Sequence, residues 1–138
     1  MRHGHWIFKK GTGLQLVQIS EWVAFIECCE IRLARTRVGD GYVSTVFLGL
    51  DYNFSGGPLL LFETRIFCKE HEDIDGDGAR YATPDEAFRG HNVMVERLRE
   101  FYPEAVIAHE VFATGSLKPG QEERHAQIIQ DLKQFDKS

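Results

Sequence analysis

The chain has 138 residues, 43% of them hydrophobic, and a formal net charge of −5. That length suits one domain with a real core, and the acidic balance argues against a general nucleic-acid binder, which would carry a basic patch. No run approaches a transmembrane helix, and "MRHGHWIFKKGTG" lacks the apolar centre of a signal peptide, so a protein of the host-cell cytoplasm without a membrane partner is expected.

In chain order, "HWIFKKGTGLQLVQIS" predicts two short strands around a Gly-Thr-Gly turn. A short helix follows, with Ser20 as its cap and Trp22, Phe25, Ile26 and Cys29 at helical spacing. "IRLARTRV" alternates apolar and basic residues, with Ile31, Leu33 and Val38 inward and Arg35 and Arg37 sharing the outer face. Gly39-Asp40-Gly41 marks a hairpin turn. "YVSTVFLGLDYNF" reads as the next strand, a turn through Gly56 and Gly57 follows, and "PLLLFETRIFCKE" reads as the third. Tight turns between these runs favour an antiparallel meander, since parallel neighbours need long crossovers.

The stretch "HEDIDGDGARYATPDEAF" opens like an EF-hand loop, with Asp73, Asp75, Asp77 and Gly78 in step. Its twelfth position is Pro84, which has no side-chain oxygen, and a strand precedes it where a helix is needed. Thr83, Pro84 and Glu86 fit a helix start instead: an N-cap, a proline at the first helical position and a capping-box glutamate. The acidic segment therefore reads as a solvated turn. The helix runs to about Tyr102, with Ala87, Phe88, His91, Val95, Leu98 and Tyr102 on one face, and Pro103 ends it. "AVIAHEVFA" predicts one more strand. "QEERHAQIIQDLKQF" predicts an amphipathic helix, striped by His125, Ile128, Ile129, Leu132 and Phe135, that either docks on its own domain or meets a partner, docking being the favoured reading.

These elements define an α+β fold: an antiparallel meander with one or two helices packed on one face. Residues 1–102 form the core domain and residues 103–138 a C-terminal extension of a short strand and a helix. Cys28, Cys29 and Cys68 are odd in number and have no Cys-x-x-Cys spacing, so they read as buried thiols, not as a disulfide framework or a zinc set. His3 and His5 form an H-x-H pair near the N-terminus whose metal capture would be incidental. No metal site and no cofactor is expected.

The blocks "VSTVFLGLDYNFSGGPLLLFETRIF" and "RYATPDEAFRGHNVMVERLRE" resemble a family of small proteins encoded by bacteriophages, prophages and actinobacterial-type genomes. Its members read V-S-T-V-(F/W)-L-G-L-D-H-x-F, then G-P-P-L-(L/I)-F-E-T-M-V-F, then R-Y-(S/T)-T-x-x-E-A-x-x-G-H before a helix. "QISEWVAFIECCEIRLARTRV" resembles the upstream Glu-Trp segment, so the likeness spans residues 11 to 101. The matching positions are Ser44, Thr45, Gly49, Asp51, Phe54, Gly57, Pro58, Glu63, Thr64, Tyr81, Thr83, Glu86, Gly90 and His91. Tyr52, Leu59 and Arg65 depart from the pattern, which often has His, a second Pro and Met there. The resemblance implies a phage or prophage origin and a compact fold, and no particular reaction.

Three functions follow as expectations. The leading one is a phage accessory protein that acts by binding a host or phage protein or by homo-oligomeric assembly, with inhibition of a host defence system as one form. The second is a binder or sponge for a nucleotide-like ligand, in which Arg35, Arg37 and Arg65 contact phosphate and Tyr52 and Tyr81 stack on a base; the plainer role for these arginines is to solvate an outer sheet face. The third is an acid–base or metal-dependent enzyme built on Asp51, Glu63 and His91. His91 on a core-facing helix stripe with a carboxylate partner more often satisfies buried hydrogen bonds. Neither a Gly-x-Ser-x-Gly elbow nor a phosphate-binding Gly-x-x-x-x-Gly-Lys loop occurs, and no catalytic residue is assigned.

Overall fold

The computed structural model of the chain describes residues 4–9, 11–50 and 57–136. Strands β1 (His5–Lys9) and β2 (Gly13–Val17) pair antiparallel as a hairpin, and helix α1 (Ile19–Cys28) follows. Strands β3 (Arg32–Val38), β4 (Gly41–Phe47) and β5 (Phe62–Phe67) then form the expected meander, and β6 (Gly78–Tyr81) adds a fourth strand to it. Helix α2 (Pro84–Arg99) leaves it, strand β7 (Ile107–Val111) returns beside β3, and helix α3 (Glu122–Leu132) closes the chain with one 3₁₀ turn, Lys133–Phe135. The five-stranded sheet has the order β6-β5-β4-β3-β7, all antiparallel, and the fold is α+β.

Local sequence explains the joints. Gly39 sits at φ +60° in the two-residue turn between β3 and β4, the pattern of a type II′ hairpin, in which the first turn residue needs positive φ. Its missing side chain also matters, because a Cβ there would lie 2.4 Å from the Tyr102 ring. The Thr83 hydroxyl accepts the Glu86 amide at 3.1 Å and Pro84 opens α2, as the capping box predicts.

Among the described residues, both buried clusters lie on one sheet face. The hairpin and α1 cover one end, where Ile7, Phe25, Leu33, Phe47, Leu61 and Phe62 form one buried cluster. Helix α2 covers the other end, over Val38, Val43, Ile66, Cys68, Met94, Val95 and Leu98. The three cysteines are free thiols, all buried.

Several details differ from the sequence reading. Strand β6 was not expected, being only four residues long between the acidic turn and the α2 cap. Helix α1 begins two residues earlier than a Ser20 cap implies, at Ile19, with Gln18 in the cap position and no side-chain cap bond from it. The Ser20 amide and hydroxyl instead donate to the two carboxylate oxygens of Asp136, at 2.9 and 2.5 Å. Phe88 stands at the margin of the α2 stripe and is partly exposed, while Met94 takes a core position. Residues beyond 102 add the edge strand to the sheet and a helix that packs on α1, where Arg124 pairs with Glu27 at 2.5 Å.

In the acidic turn, Asp75 accepts the Cys68 amide at 2.8 Å and Asp77 pairs with Arg97 at 2.7 Å. Two of the three EF-hand-like aspartates thus hold the β5–β6 connection and tie it to α2. Among the described residues, no helix is long and apolar enough to cross a membrane.

Candidate functional site

Strand alternation sorts the candidate residues onto two faces of the sheet. Thr64 is fully buried on the helix-covered face, so its neighbours Glu63 and Arg65 lie on the other. Glu63 is bracketed there by Arg65 at 3.1 Å and Arg80 at 3.0 Å. His91 lies on α2, beneath the covered face, and is 3% exposed. The expected approach of His91 to Glu63 does not occur: the sheet itself separates them, because the residue that α2 meets on β5 is one pleat further on. Asp51 and Tyr52 lie outside the described residues, so the third member of the proposed cluster and one of the two proposed stacking rings are not located.

His91 is instead enclosed by threonines. Its Nε2 is 2.8 Å from Thr36 Oγ1, and its Nδ1 is 2.7 Å from Thr45 Oγ1. Thr45 Oγ1 is also 2.6 Å from Thr64 Oγ1, and Thr36 Oγ1 is 2.8 Å from Nδ1 of His109 on β7. A continuous chain therefore runs His109–Thr36–His91–Thr45–Thr64, from an exposed edge strand into the core. Burial pushes the His91 imidazole down to about 4, with the nearby His109 contributing in the same direction, so His91 is neutral at physiological pH. A neutral imidazole has one donor and one acceptor nitrogen, and each hydroxyl donates once. The chain thus has two self-consistent polarities. A proton on His109 Nδ1 makes it a donor to Thr36 and fixes the proton of His91 on Nδ1. The opposite polarity needs Nδ1 of His109 bare. Every buried polar atom in the network has a partner, which is what stabilises such a group in a core.

The sequence reading missed the threonines, although their signal was present. Three strands read apolar-x-Thr-x-apolar at Ala34-Thr36-Val38, Val43-Thr45-Phe47 and Phe62-Thr64-Ile66. Pairing sets Thr45 opposite Thr64 and Thr36 opposite Val43. One polar hydroxyl at the centre of each apolar face demands a polar group on the covering helix, and His91 is that group.

The outer face gathers a different set. Row by row across the strands it carries Arg80, Glu63 and Val46; then Arg65, Ser44, Arg35 and Glu110; then Phe67, Tyr42, Arg37 and Ala108. No helix or hairpin of the described residues packs on it. The Arg35 guanidinium lies 4.4 Å from the Tyr42 ring centre, and Arg37 is 6.0 Å from it. Tyr42 stacks on Phe67, with centroids 4.8 Å apart and 18° between planes. Phe67 is 40% exposed. Arg35 and Arg37 share the outer face, as their alternation predicts, and Arg65 lies on the same face. Tyr81 is not with them: it faces the covered side and packs against α2, where Gly90 lets its phenol approach so closely that a Cβ would lie 2.0 Å from the hydroxyl. Tyr42 takes the aromatic position instead, and it too was legible, since a two-residue turn pairing Val38 with Gly41 sets Arg37 opposite Tyr42.

Comparison of the chain with protein-family models, with curated proteins and with solved structures finds no match.

Proposed function

We propose that this chain is a binding protein, of the phage or prophage accessory kind that its sequence resembles, and that it engages the acidic surface of a partner protein through the open outer face of its sheet. The observation that carries this reading is the layered group Arg35–Tyr42–Phe67, with Arg37 beside it, which no helix or hairpin of the described residues covers. Tyrosine and arginine are the residue types that dominate the energetics of protein interfaces, and they act from the centre of a patch. Four arginines, 35, 37, 65 and 80, meet two glutamates, 63 and 110, on this face, so the face is locally basic on a chain of net charge −5. Such a contrast steers an acidic partner to one side of the molecule.

The face spans five strands, an extent that suits a macromolecule more than a small ligand, whose sites bury most of its surface. A nucleotide-like ligand would need a free ring to stack on, and Tyr42 already has Arg35 on one side and Phe67 against it. The acid–base enzyme reading loses its Glu63–His91 pair, since these two are on opposite sides of the sheet, while Asp51 lies outside the described residues.

The test is quantitative capture from a bacterial host lysate with immobilised wild type and with Arg35→Glu/Arg37→Glu, followed by reconstitution of any captured protein in purified form. The expected result is a partner of acidic surface, bound directly by the wild type and weakened at least tenfold by the double charge reversal. Binding should also weaken as salt is raised. Direct binding that survives the double variant and 0.5 M salt, where the Debye length is roughly 4 Å, would place the interaction elsewhere on the molecule.

A further inference from the structure

We infer that the free edge of β7 is a self-association edge, at which two copies pair antiparallel about a two-fold axis at His109 and join their sheets into one of ten strands. This edge borders the outer-face site, and its side-chain pairing draws on Arg35 and Arg37 from that face, while its backbone pairing does not.

Backbone geometry makes the edge available. The Phe112 amide donates to Leu33 on β3 at 3.0 Å, and the register pairs Glu110 with Arg35 and Ala108 with Arg37. In an antiparallel ladder the two peptide groups of a residue point to the same side and alternate along the strand. Ala108, Glu110 and Phe112 therefore bond to β3. Ile107, His109 and Val111 point their amides and carbonyls outward, where no described strand meets them. Natural edges are blunted by lysine, proline or a bulge, and β7 has none of these. Helix α2 packs over β3, β4, β5 and β6, and β7 lies beyond it. Val106 and Val111, near its two ends, are 91% and 74% exposed.

The occupant is a second copy because the strand is self-complementary in one register. With His109 opposite His109, all three outward-facing residues of each copy pair, and Ile107 meets the second copy's Val111 on the covered side. On the outer side Ala108 meets the second copy's Glu110. Ala108 is small, and Arg37 beside it can reach toward that glutamate across two strand spacings, roughly 10 Å. Each Glu110 then lies between its own Arg35 and the other copy's Arg37. Sliding the register by one residue per strand to centre on Glu110 would oppose two like charges, which is destabilising. A five-residue ladder buries less than a permanent dimer requires, so association is concentration-dependent.

Two measurements test this. Sedimentation velocity from low micromolar to submillimolar concentration is expected to show monomer converting to dimer in the wild type. Val111→Pro, which deletes an outward amide while sparing every bond to β3, and Val111→Lys, which puts a charge at the seam, should each raise the dimer dissociation constant at least tenfold. Val111→Lys decides the matter if the proline variant fails to fold. Register is read by mild oxidation: the double variant Ala108→Cys/Glu110→Cys should crosslink into dimers, because positions 108 and 110 form the close, non-hydrogen-bonded pair whose Cα spacing suits a disulfide, while either single variant should not. A monomer at every concentration, a dimer indifferent to both Val111 variants, or crosslinking by a single variant alone would each overturn the inference.

Discussion

His91 is a titratable residue set inside a buried hydrogen-bond chain. It is neutral, nearly inaccessible, and hydrogen-bonded at both nitrogens to the buried hydroxyls of Thr36 and Thr45. Its folded-state value of about 4 lies below the ordinary 6.5. As pH falls, the unfolded chain therefore takes up this proton first, and the folded state loses its advantage between about 6.5 and 4. That contribution is present in full above 6.5 and is worth roughly 2–3 kcal/mol by pH 4. Urea unfolding at pH 7 and pH 4 measures it, with His91→Gln as the control. The glutamine can still donate and accept but cannot titrate, so the variant should lose less stability on acidification than the wild type. Equal losses in the two proteins would mean that the imidazole is not the titrating group.

At the scale of elements, α1 depends on a residue 116 positions away. Its own cap residue, Gln18, makes no side-chain cap bond, and the carboxylate of Asp136 takes the Ser20 amide instead. A carboxylate there also meets the positive end of the helix dipole. Asp136→Ala should cost about 1 kcal/mol, the usual value of an N-cap. Arg124→Ala, which removes an exposed ion pair between the same two helices, should cost less than about 0.5 kcal/mol. Chemical denaturation of the two variants checks the order, and a reversal would assign the α1–α3 contact to charge pairing. This contact also marks where the sequence stops being legible. The meander, the hairpin turn at Gly39 and the α2 cap follow from neighbours within four residues, through alternation, a glycine turn and a capping box. Strand β6 did not, because four residues are too few for a periodic pattern. The Asp136 cap and the return of β7 beside β3 did not, because they join segments distant in sequence. For the site, the arginine face was readable from period two, while the pairing of Glu63 with His91 failed by a single pleat.

For the molecule as a whole, the two packed clusters share one sheet but not one set of covers. The hairpin and α1 close the cluster around Phe25, Phe47 and Phe62, and α3 backs α1. Helix α2 closes the cluster around Val43, Ile66 and Leu98, together with Ile74 of the acidic turn and Phe101, Tyr102 and Ala105 just beyond the helix. Stability need not be uniform in such an arrangement, and native-state hydrogen exchange resolves its parts. Ending the chain after Gly120 removes α3 and the Asp136 cap but keeps the segment that binds the end of α1, where Gly115 and Lys118 donate to Glu30 and Cys28. The shortened protein loses one cap and the burial of three half-buried aliphatics, Ile128, Ile129 and Leu132, together about 3 kcal/mol. Because that loss falls on α1, its amides should exchange far faster in the shortened chain while those of α2 and β4 keep most of their protection. If α1 and α2 lose protection together and by the same amount, the two clusters unfold as one unit and α3 stabilises the whole sheet through α1.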